Sequence, residues 1–395
     1  MQKQLLQPEI QNFIFENTFT PISKLALQKN PYPNVDYKLI LNQIEAKAKS
    51  KTKLPSWFNA INILYPSKVS VEQTSSEITA KYKSKIIKGN SIIDLTGGFG
   101  VDCFYFSKTF KNVVHCELNS ELSELVAHNF KQLNALNVTC INGDSLEVLK
   151  NLNQKFDWIY IDPSRRNEFK GKVFMLKDCM PNVPDLIDFY FQYSSKILLK
   201  TAPILDISAG LLDLKNVKKI HVVAIENEVK EILWEIEKEF NEKILIETIN
   251  CLQNSNEIFS FNLGSDVIAN YNLPKKYLFE PNASIMKSGG FNEVSNQFEM
   301  DKLHPNSHLY TSNEMISFPG RVFEIEKMIS YTKTDLKKHL ENTKANVTTR
   351  NFPESVENIR KKWKIKDGGN VYCFFTTDVN DNKIVLICTK YQKTQ

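Results

Sequence analysis

Ile92-Ile93-Asp94-Leu95-Thr96-Gly97-Gly98-Phe99-Gly100-Val101 decides the fold of this chain. Its first residues are a short apolar run ending in an acid, the pattern of a buried strand. The glycines that follow make a turn, and Val101 to Phe110 fits a helix. Downstream the same alternation continues. Val113-Val114-His115-Cys116-Glu117 predicts a second strand, and Asn119 is placed to cap the next helix, with Glu121 and Glu124 where a helix dipole favours acids. Leu122, Leu125, Val126, Phe130 and Leu133 give that helix one apolar face. Val138 to Ile141, Phe156 to Ile161, Ile197 to Leu199 and His221 to Ile225 predict strands three to six. Val229, Ile232, Leu233, Ile236 and Phe240 predict another amphipathic helix, and Ile244 to Ile249 and Ile258 to Leu263 closing strands. Strands and helices alternating at this spacing imply an α/β domain on a doubly wound, mostly parallel sheet.

The flanks differ. Residues 1 to 88 look helical: Leu39, Ile40, Ile44 and Ala48 recur at helical spacing, prolines punctuate the segment, and glycine is absent until Gly89. Residues 265 to 318 hold clustered turn signals and few regular patterns. After Pro319 comes a compact α/β pattern: a strand at 345–350, a helix marked by Val356, Ile359 and Trp363, and a hairpin of 371–377 and 384–389 around Asn380-Asp381-Asn382. At 395 residues the chain is long enough for two or three domains. The expected divisions are 1–88, 89–264, 265–318 and 319–395.

Composition excludes several classes. A 42% hydrophobic content supplies a core, so wholesale disorder is ruled out. No run approaches the roughly 18 apolar residues a membrane span requires. Met1 to Pro8 leads into no apolar leader segment, so secretion is not expected and the default location is cytoplasmic. Seven scattered cysteines without a Cys-x-x-Cys pair, and only six histidines, argue against a disulfide framework, a zinc ribbon and a metal site in general. Charge is uneven: from Pro319 onward 15 Lys/Arg face 9 Asp/Glu, whereas the preceding residues carry a net of −1. Such a basic tail suits a polyanion, or is a solvated lysine-rich surface.

Ligands on a doubly wound sheet sit beyond the carboxyl ends of its strands. Four polar sites stand there. Asp94, Thr96, Gly97, Gly98 and Gly100 follow strand one, and Gly98 and Gly100 let the chain turn and approach a ligand, although a purely structural turn also uses glycine. Glu117 ends strand two, 17 residues after Gly100, where an acid binds ribose hydroxyls. Asp144 and Ser145 follow strand three, where Asp144 is able to accept from an adenine amino group. Asp162-Pro163-Ser164-Arg165-Arg166 ends strand four. The dinucleotide pattern G-x-G-x-x-G fails, because Cys103 stands in place of its third glycine, and a Walker lysine is missing. Arg165 and Arg166 suit phosphates or stacking, or else pair with acids near Glu168. Glu72-Gln73-Thr74-Ser75-Ser76-Glu77 is a capped helix start, and it also resembles a segment that closes over a bound ligand just before strand one. The position after strand five, Leu199-Lys200-Thr201-Ala202-Pro203, lacks the cysteine nucleophile of a pyrimidine C5 reaction.

The loop and acids together resemble the first motifs of class I S-adenosylmethionine-dependent methyltransferases, with Thr96 standing where the first glycine usually lies. That resemblance implies S-adenosyl-L-methionine as cofactor, with Asp94, Thr96, Gly97, Gly98 and Gly100 around its methionine part, Glu117 on the ribose, Asp144 and Ser145 near adenine, and Ser75 in the closing segment. Asp162-Pro163-Ser164 resembles the (Asp/Asn)-Pro-Pro-aromatic motif of amino methyltransferases, which implies that Asp162 and the Pro163 carbonyl accept hydrogen bonds from a target N–H. Here no aromatic follows to stack a flipped base. The wider layout resembles a bacterial group of such enzymes with a helical N-terminus and a C-terminal THUMP-like domain. Its cues are Glu-Pro-Asn-Ala-Ser-Ile-Met-Lys at 280–287, Asn306 to Tyr310, Arg350-Asn351-Phe352-Pro353 and Lys366-Asp367-Gly368-Gly369. The resemblance implies a Rossmann-like methyltransferase sheet followed by small α+β domains, ferredoxin-like and THUMP-like, and an RNA substrate (tRNA or rRNA) methylated on a base nitrogen. Lys361 and Lys362, with Lys337, Lys338, Lys344, Arg350, Arg360, Lys364 and Lys366, would then line a backbone-binding face; Trp363 is core or stacks. The alternatives are a non-catalytic RNA-binding protein on the same fold, or a methyltransferase acting on a protein or small molecule.

Overall fold

The structure, a computed structural model, describes residues 3–165 and 175–391. The chain forms two compact units, Met1–Lys218 with Ile232–Glu242, and Lys219–Glu231 with Lys243–Gln395.

The first unit begins with helices α1 (Pro8–Glu16), α2 (Ile22–Ala26), α3 (Tyr37–Lys53), α4 (Pro55–Asn59), α5 (Lys68–Gln73) and α6 (Glu77–Ile86). Asp36, Ser67 and Ser76 cap α3, α5 and α6 by accepting from backbone amides of the first turn, which satisfies donors a helix start leaves open. Leu5, Ile10, Ile14, Leu25, Ile40, Ile44 and Leu64 form their shared core. The sheet follows: β1 (Ser91–Asp94), α7 (Val101–Phe106), β2 (Asn112–Glu117), α8 (Ser120–Gln132), β3 (Val138–Asn142), α9 (Ser145–Leu152) and β4 (Trp158–Ile161). A two-residue pair, β5 (Ser164–Arg165) with β6 (Cys179–Met180), stands apart from it. Then come α10 (Val183–Tyr190), β7 (Lys196–Thr201), α11 (Ile207–Asp213), β8 (Val217–Ile225) and β9 (Glu228–Glu237). The order within the unit is β9-β7-β4-β1-β2-β3. All pairs are parallel except β7 with β9. β4 is buried along its length and β1 from Ile92 onward, as expected of central strands in a parallel sheet covered on both faces. From β1 the chain winds outward to β3, then returns to β4 on the other side. The β1–β4 boundary is therefore the switch point.

One predicted helix is a strand. Residues 229–240 were expected to be helical from their spacing, but Glu228–Glu237 pairs antiparallel with β7, Trp234 opposite Leu199. Glu231 to Trp234 are buried in succession, which a strand covered on both faces requires and a one-sided helix does not. The periodicity of Val229, Ile232, Leu233 and Ile236 fits either structure.

In the second unit β10 (Leu245–Cys251) lies parallel to β8 and antiparallel to β11 (Asn256–Asn262). A further sheet has the order β13-β14-β12-β15-β18-β17-β16. Its members are β12 (Tyr277–Pro281), β13 (Asp301–Lys302), β14 (Tyr310–Ser312), β15 (Gly320–Ser330), β16 (Asn346–Thr349), β17 (Val371–Thr377) and β18 (Lys383–Lys390). Helices α12 (Ala283–Ser288) and α13 (Phe291–Gln297) follow β12, and α14 (Lys333–His339) and α15 (Val356–Trp363) belong to its later half. The segment 265–318 is thus more regular than its turn-rich sequence suggests, its elements being too short to show a period. Trp363 is core: it packs with Leu336, Ile359, Phe375 and Val385.

Candidate active site

The loop after β1 is shaped by its backbone conformation, by close packing and by hydrogen bonds to β2. Gly98 and Gly100 have φ of 54° and 76°, a region in which a Cβ costs energy. A Cβ on Gly97 would stand 2.3 Å from Nε2 of the buried His115, and one on Gly100 2.6 Å from Phe130 Cζ. The loop is also stitched to β2: the Gly97 amide donates to the Cys116 carbonyl at 2.8 Å, and the Gly98 amide to Glu117 Oε2 at 2.9 Å. Only on Gly98 would a Cβ meet nothing nearer than 3.7 Å, a backbone oxygen of Thr96. A side chain here would make no more than ordinary van der Waals contact, and what favours glycine is its positive φ. α7 is shorter than its sequence suggests, ending at Phe106, with all six residues buried.

Four adjacent strands bring the predicted acids to one edge of the sheet. Asp94 ends β1 and is buried; its Oδ1 accepts from the Thr96 amide and hydroxyl, and Cys103 Sγ lies 3.4 Å from Oδ2. Burial pushes the Asp94 carboxyl up to about 7 against the pull of the Thr96 amide, with Asp102 and Asp162 adding to the rise. Glu117 ends β2 half-buried, its two oxygens accepting from the amides of Gly98 and Asn119. Asp144, exposed after β3, caps α9 by accepting from the amides of Leu146 and Glu147, and Ser145 is the first residue of that helix. Asp162 follows β4. Its amide donates to Thr96 Oγ1 at 2.7 Å, so the first and fourth strand ends are joined directly. Pro163 is half-buried beside it. Arg165 lies in the β5–β6 pair, and Arg166 lies outside the described residues.

Sequence reasoning missed the cations here. Lys200, next to last in β7, pairs with Asp162 Oδ2 at 2.5 Å. Beneath the loop, Lys83 of α6 is fully buried against Asp102 at 3.2 Å, while Ser75 and the Tyr160 hydroxyl both donate to Asp102 Oδ2 at 2.8 Å. Burial would raise the Asp102 carboxyl, but Lys83, then Lys200 and these two hydroxyls, hold it below its ordinary value. The Ser75 hydroxyl is therefore directed at Asp102. Signals were present: Lys200 is a charge in the apolar run of β7, and Asp102 is the single acid of a helix otherwise apolar from Val101 to Phe106. Nothing in the chain indicates that these residues meet.

The N-terminal helices also frame this edge. Buried Asn129 of α8 exchanges two hydrogen bonds with the backbone of Leu64. A cavity of about 440 Å³, lined in part by Asn42, Tyr65, Ser67, Asn119 and Leu122, begins two residues beyond Glu117. Lys361 and Lys362 belong to the other unit, on the exposed side of α15; Lys362 pairs with Glu354 at 3.2 Å and bonds the Tyr331 hydroxyl. Among the described residues there is no group of three His, Cys, Asp or Glu able to hold a metal ion, and no helix long and apolar enough to cross a membrane.

Comparison with known proteins gives three domain matches. Residues 53–177 match a family described as conserved hypothetical protein 95, residues 277–319 a ferredoxin-like domain, and residues 320–390 a THUMP domain-like family. The chain is 31% identical to a Porphyromonas gingivalis W83 protein assigned as a methyltransferase, over 99% of each chain, with a TM-score of 0.88. It is also 25% identical over 198 residues to the release factor glutamine methyltransferase of Mycoplasma mycoides subsp. mycoides, covering 46% of this chain and 68% of that protein.

Proposed function

The chain belongs to the methyltransferase family of the Porphyromonas gingivalis protein, with ferredoxin-like and THUMP-like domains following in sequence, and from that premise we propose that it is an S-adenosyl-L-methionine-dependent methyltransferase acting on a base nitrogen of cytoplasmic tRNA or rRNA. The observation that carries this reading is the Thr96–Asp162 hydrogen bond. It holds an amine-accepting carboxylate beside a glycine loop in which a Cβ on Gly98 would meet no atom nearer than 3.7 Å.

The residues present fit the cofactor. Glu117 is half-buried, and each of its oxygens keeps a lone pair for a ribose hydroxyl beyond the amide it already accepts. Gly98 and Gly100 give the methionine part close backbone approach, shaped by Asp94, Thr96 and Gly97. Asp144 and Ser145 border the adenine end, and Ser75 supports the loop through Asp102. When bound, the cofactor supplies a sulfonium methyl that passes to nitrogen by in-line displacement, the S–C electron pair staying on sulfur and the N–H proton leaving to water. Asp162 and the Pro163 carbonyl accept from the target N–H and turn its lone pair toward the methyl. Positioning of this kind needs no strong acid or base. Arg165 and Arg166 bind substrate phosphate, and the basic face of 319–395, Lys361 and Lys362 included, binds RNA backbone with salt-dependent affinity. The division into 1–88, 89–264, 265–318 and 319–395 is part of this proposal. It is supported by the ferredoxin-like and THUMP-like matches meeting at residues 319 and 320.

Incubation with methyl-labelled cofactor and total bacterial RNA, followed by nucleoside analysis, tests the proposal. Label in one methylated base, abolished by Asp162→Ala while cofactor still binds, supports it; unaltered transfer by that variant refutes the role of Asp162. A second reading is favoured by the absence of an aromatic after Asp162-Pro163-Ser164 and by the similarity to a glutamine methyltransferase: transfer to a protein amide. Label in protein and none in RNA would establish it instead.

A further inference from the structure

A covered lysine at an amine-accepting carboxylate needs a reason. The Lys200 side chain is 13% exposed and its ammonium lies 2.5 Å from Asp162 Oδ2, on a carboxylate 37% exposed. Removing an ammonium from water is costly unless an anion compensates it. Compensation is plentiful here: Asp94 feels both Asp102 and Asp162, and Asp102 feels Lys200 as well as Lys83. Lys83, wholly buried, is committed to Asp102. Lys200 reaches the rim from the strand adjacent to β4. Lys200 bonds one oxygen of Asp162, and the Asp162 amide is separately anchored on Thr96. Backbone and one carboxylate oxygen are therefore both fixed, which leaves Oδ1 directed by the other two constraints.

We propose that Lys200 is a positioning residue for methyl transfer: it holds Asp162 Oδ2 so that Oδ1 and the Pro163 carbonyl present one acceptor geometry to the target nitrogen, and it balances the Asp162 charge next to the sulfonium. This rests on the methyltransferase reading of the site. The methyl donor is a cation at sulfur, and its demethylated product is not. An Asp162 deprived of Lys200 attracts the donor and leaves the product unaffected; a Lys200 deprived of Asp162 repels the donor alone. Two opposite charges within several ångströms in a partly solvated site change such a preference by about three- to tenfold.

The test is calorimetric titration of the full chain with S-adenosylmethionine and with S-adenosylhomocysteine. Lys200→Met is expected to raise the donor-to-product affinity ratio about three- to tenfold, Lys200→Arg to return it toward the wild-type value, and Asp162→Asn to lower it. In the labelled-RNA assay at saturating cofactor, Lys200→Met should reduce the turnover rate at least tenfold and Lys200→Arg by much less. A ratio unchanged in both Lys200→Met and Asp162→Asn overturns the charge-balancing role. Asp162→Asn alone decides it should the lysine variant fail to fold. Full turnover by Lys200→Met overturns the positioning role. Wild-type protein that binds neither compound overturns the methyltransferase reading itself, an outcome distinct from an unaltered ratio.

Discussion

Thr96 Oγ1 accepts from the backbone amide of Asp162 at 2.7 Å and donates to Asp94 Oδ1 at 3.2 Å. One hydroxyl thus joins the loop after β1 to the motif after β4. Both partners are partly withdrawn from water, so removing the hydroxyl leaves an amide unsatisfied. Thr96→Val should cost about 1–3 kcal/mol of stability and weaken S-adenosylmethionine binding, whereas Thr96→Ser should retain most of both. Urea denaturation and calorimetry of the two variants check this.

The Asp94 carboxyl, raised by burial to about 7, makes stability depend on pH. Between about pH 4 and 7 the folded protein holds a proton on Asp94 that the unfolded chain has released, so stability falls as pH rises through that window and levels above it. Asp94→Asn removes this contribution. Relative to wild type, the variant should gain stability from pH 5 to pH 8, by at most about 1.4 kcal/mol per unit across the window. Denaturant midpoints at the two pH values give the comparison.

Lys83 and Asp102 form a buried pair, the lysine wholly and the carboxylate nearly so. Lys83→Met removes the principal cation from a buried carboxylate under the loop and should cost about 3–5 kcal/mol. Adding Asp102→Asn to that variant should recover a substantial part, because the orphaned charge is gone while Ser75 and Tyr160 keep an acceptor. A double variant no more stable than Lys83→Met would contradict this account.

In the second unit the buried Glu280 carboxylate accepts from Arg321 Nε at 2.7 Å and Arg350 at 2.9 Å. Glu280→Gln should lower stability more than Arg350→Met. The first leaves two guanidinium groups without their anion; the second leaves Glu280 still paired with Arg321. Thermal unfolding of both variants orders them.

Much of the sheet was readable from local signals. β1, β2 and β4 are short apolar runs that end in Asp94, Glu117 and Asp162, and glycine marks the turn between the first strand and its helix. β9 was misread because Val229, Ile232, Leu233 and Ile236 satisfy a helical period, although the strand buries consecutive residues against β7. The elements of 265–318 are too short for a period to show.

What the sequence alone determined is the alternation of strand and helix, the glycine turn and the acids at the strand ends, since each follows from the backbone and side-chain preferences of neighbouring residues. Tertiary structure alone decided the partners of those acids. Lys200 meets Asp162 across 38 residues and Tyr160 meets Asp102 across 58. A charge pair is set by which strands lie side by side, and that order is a property of the packed sheet rather than of any segment within it.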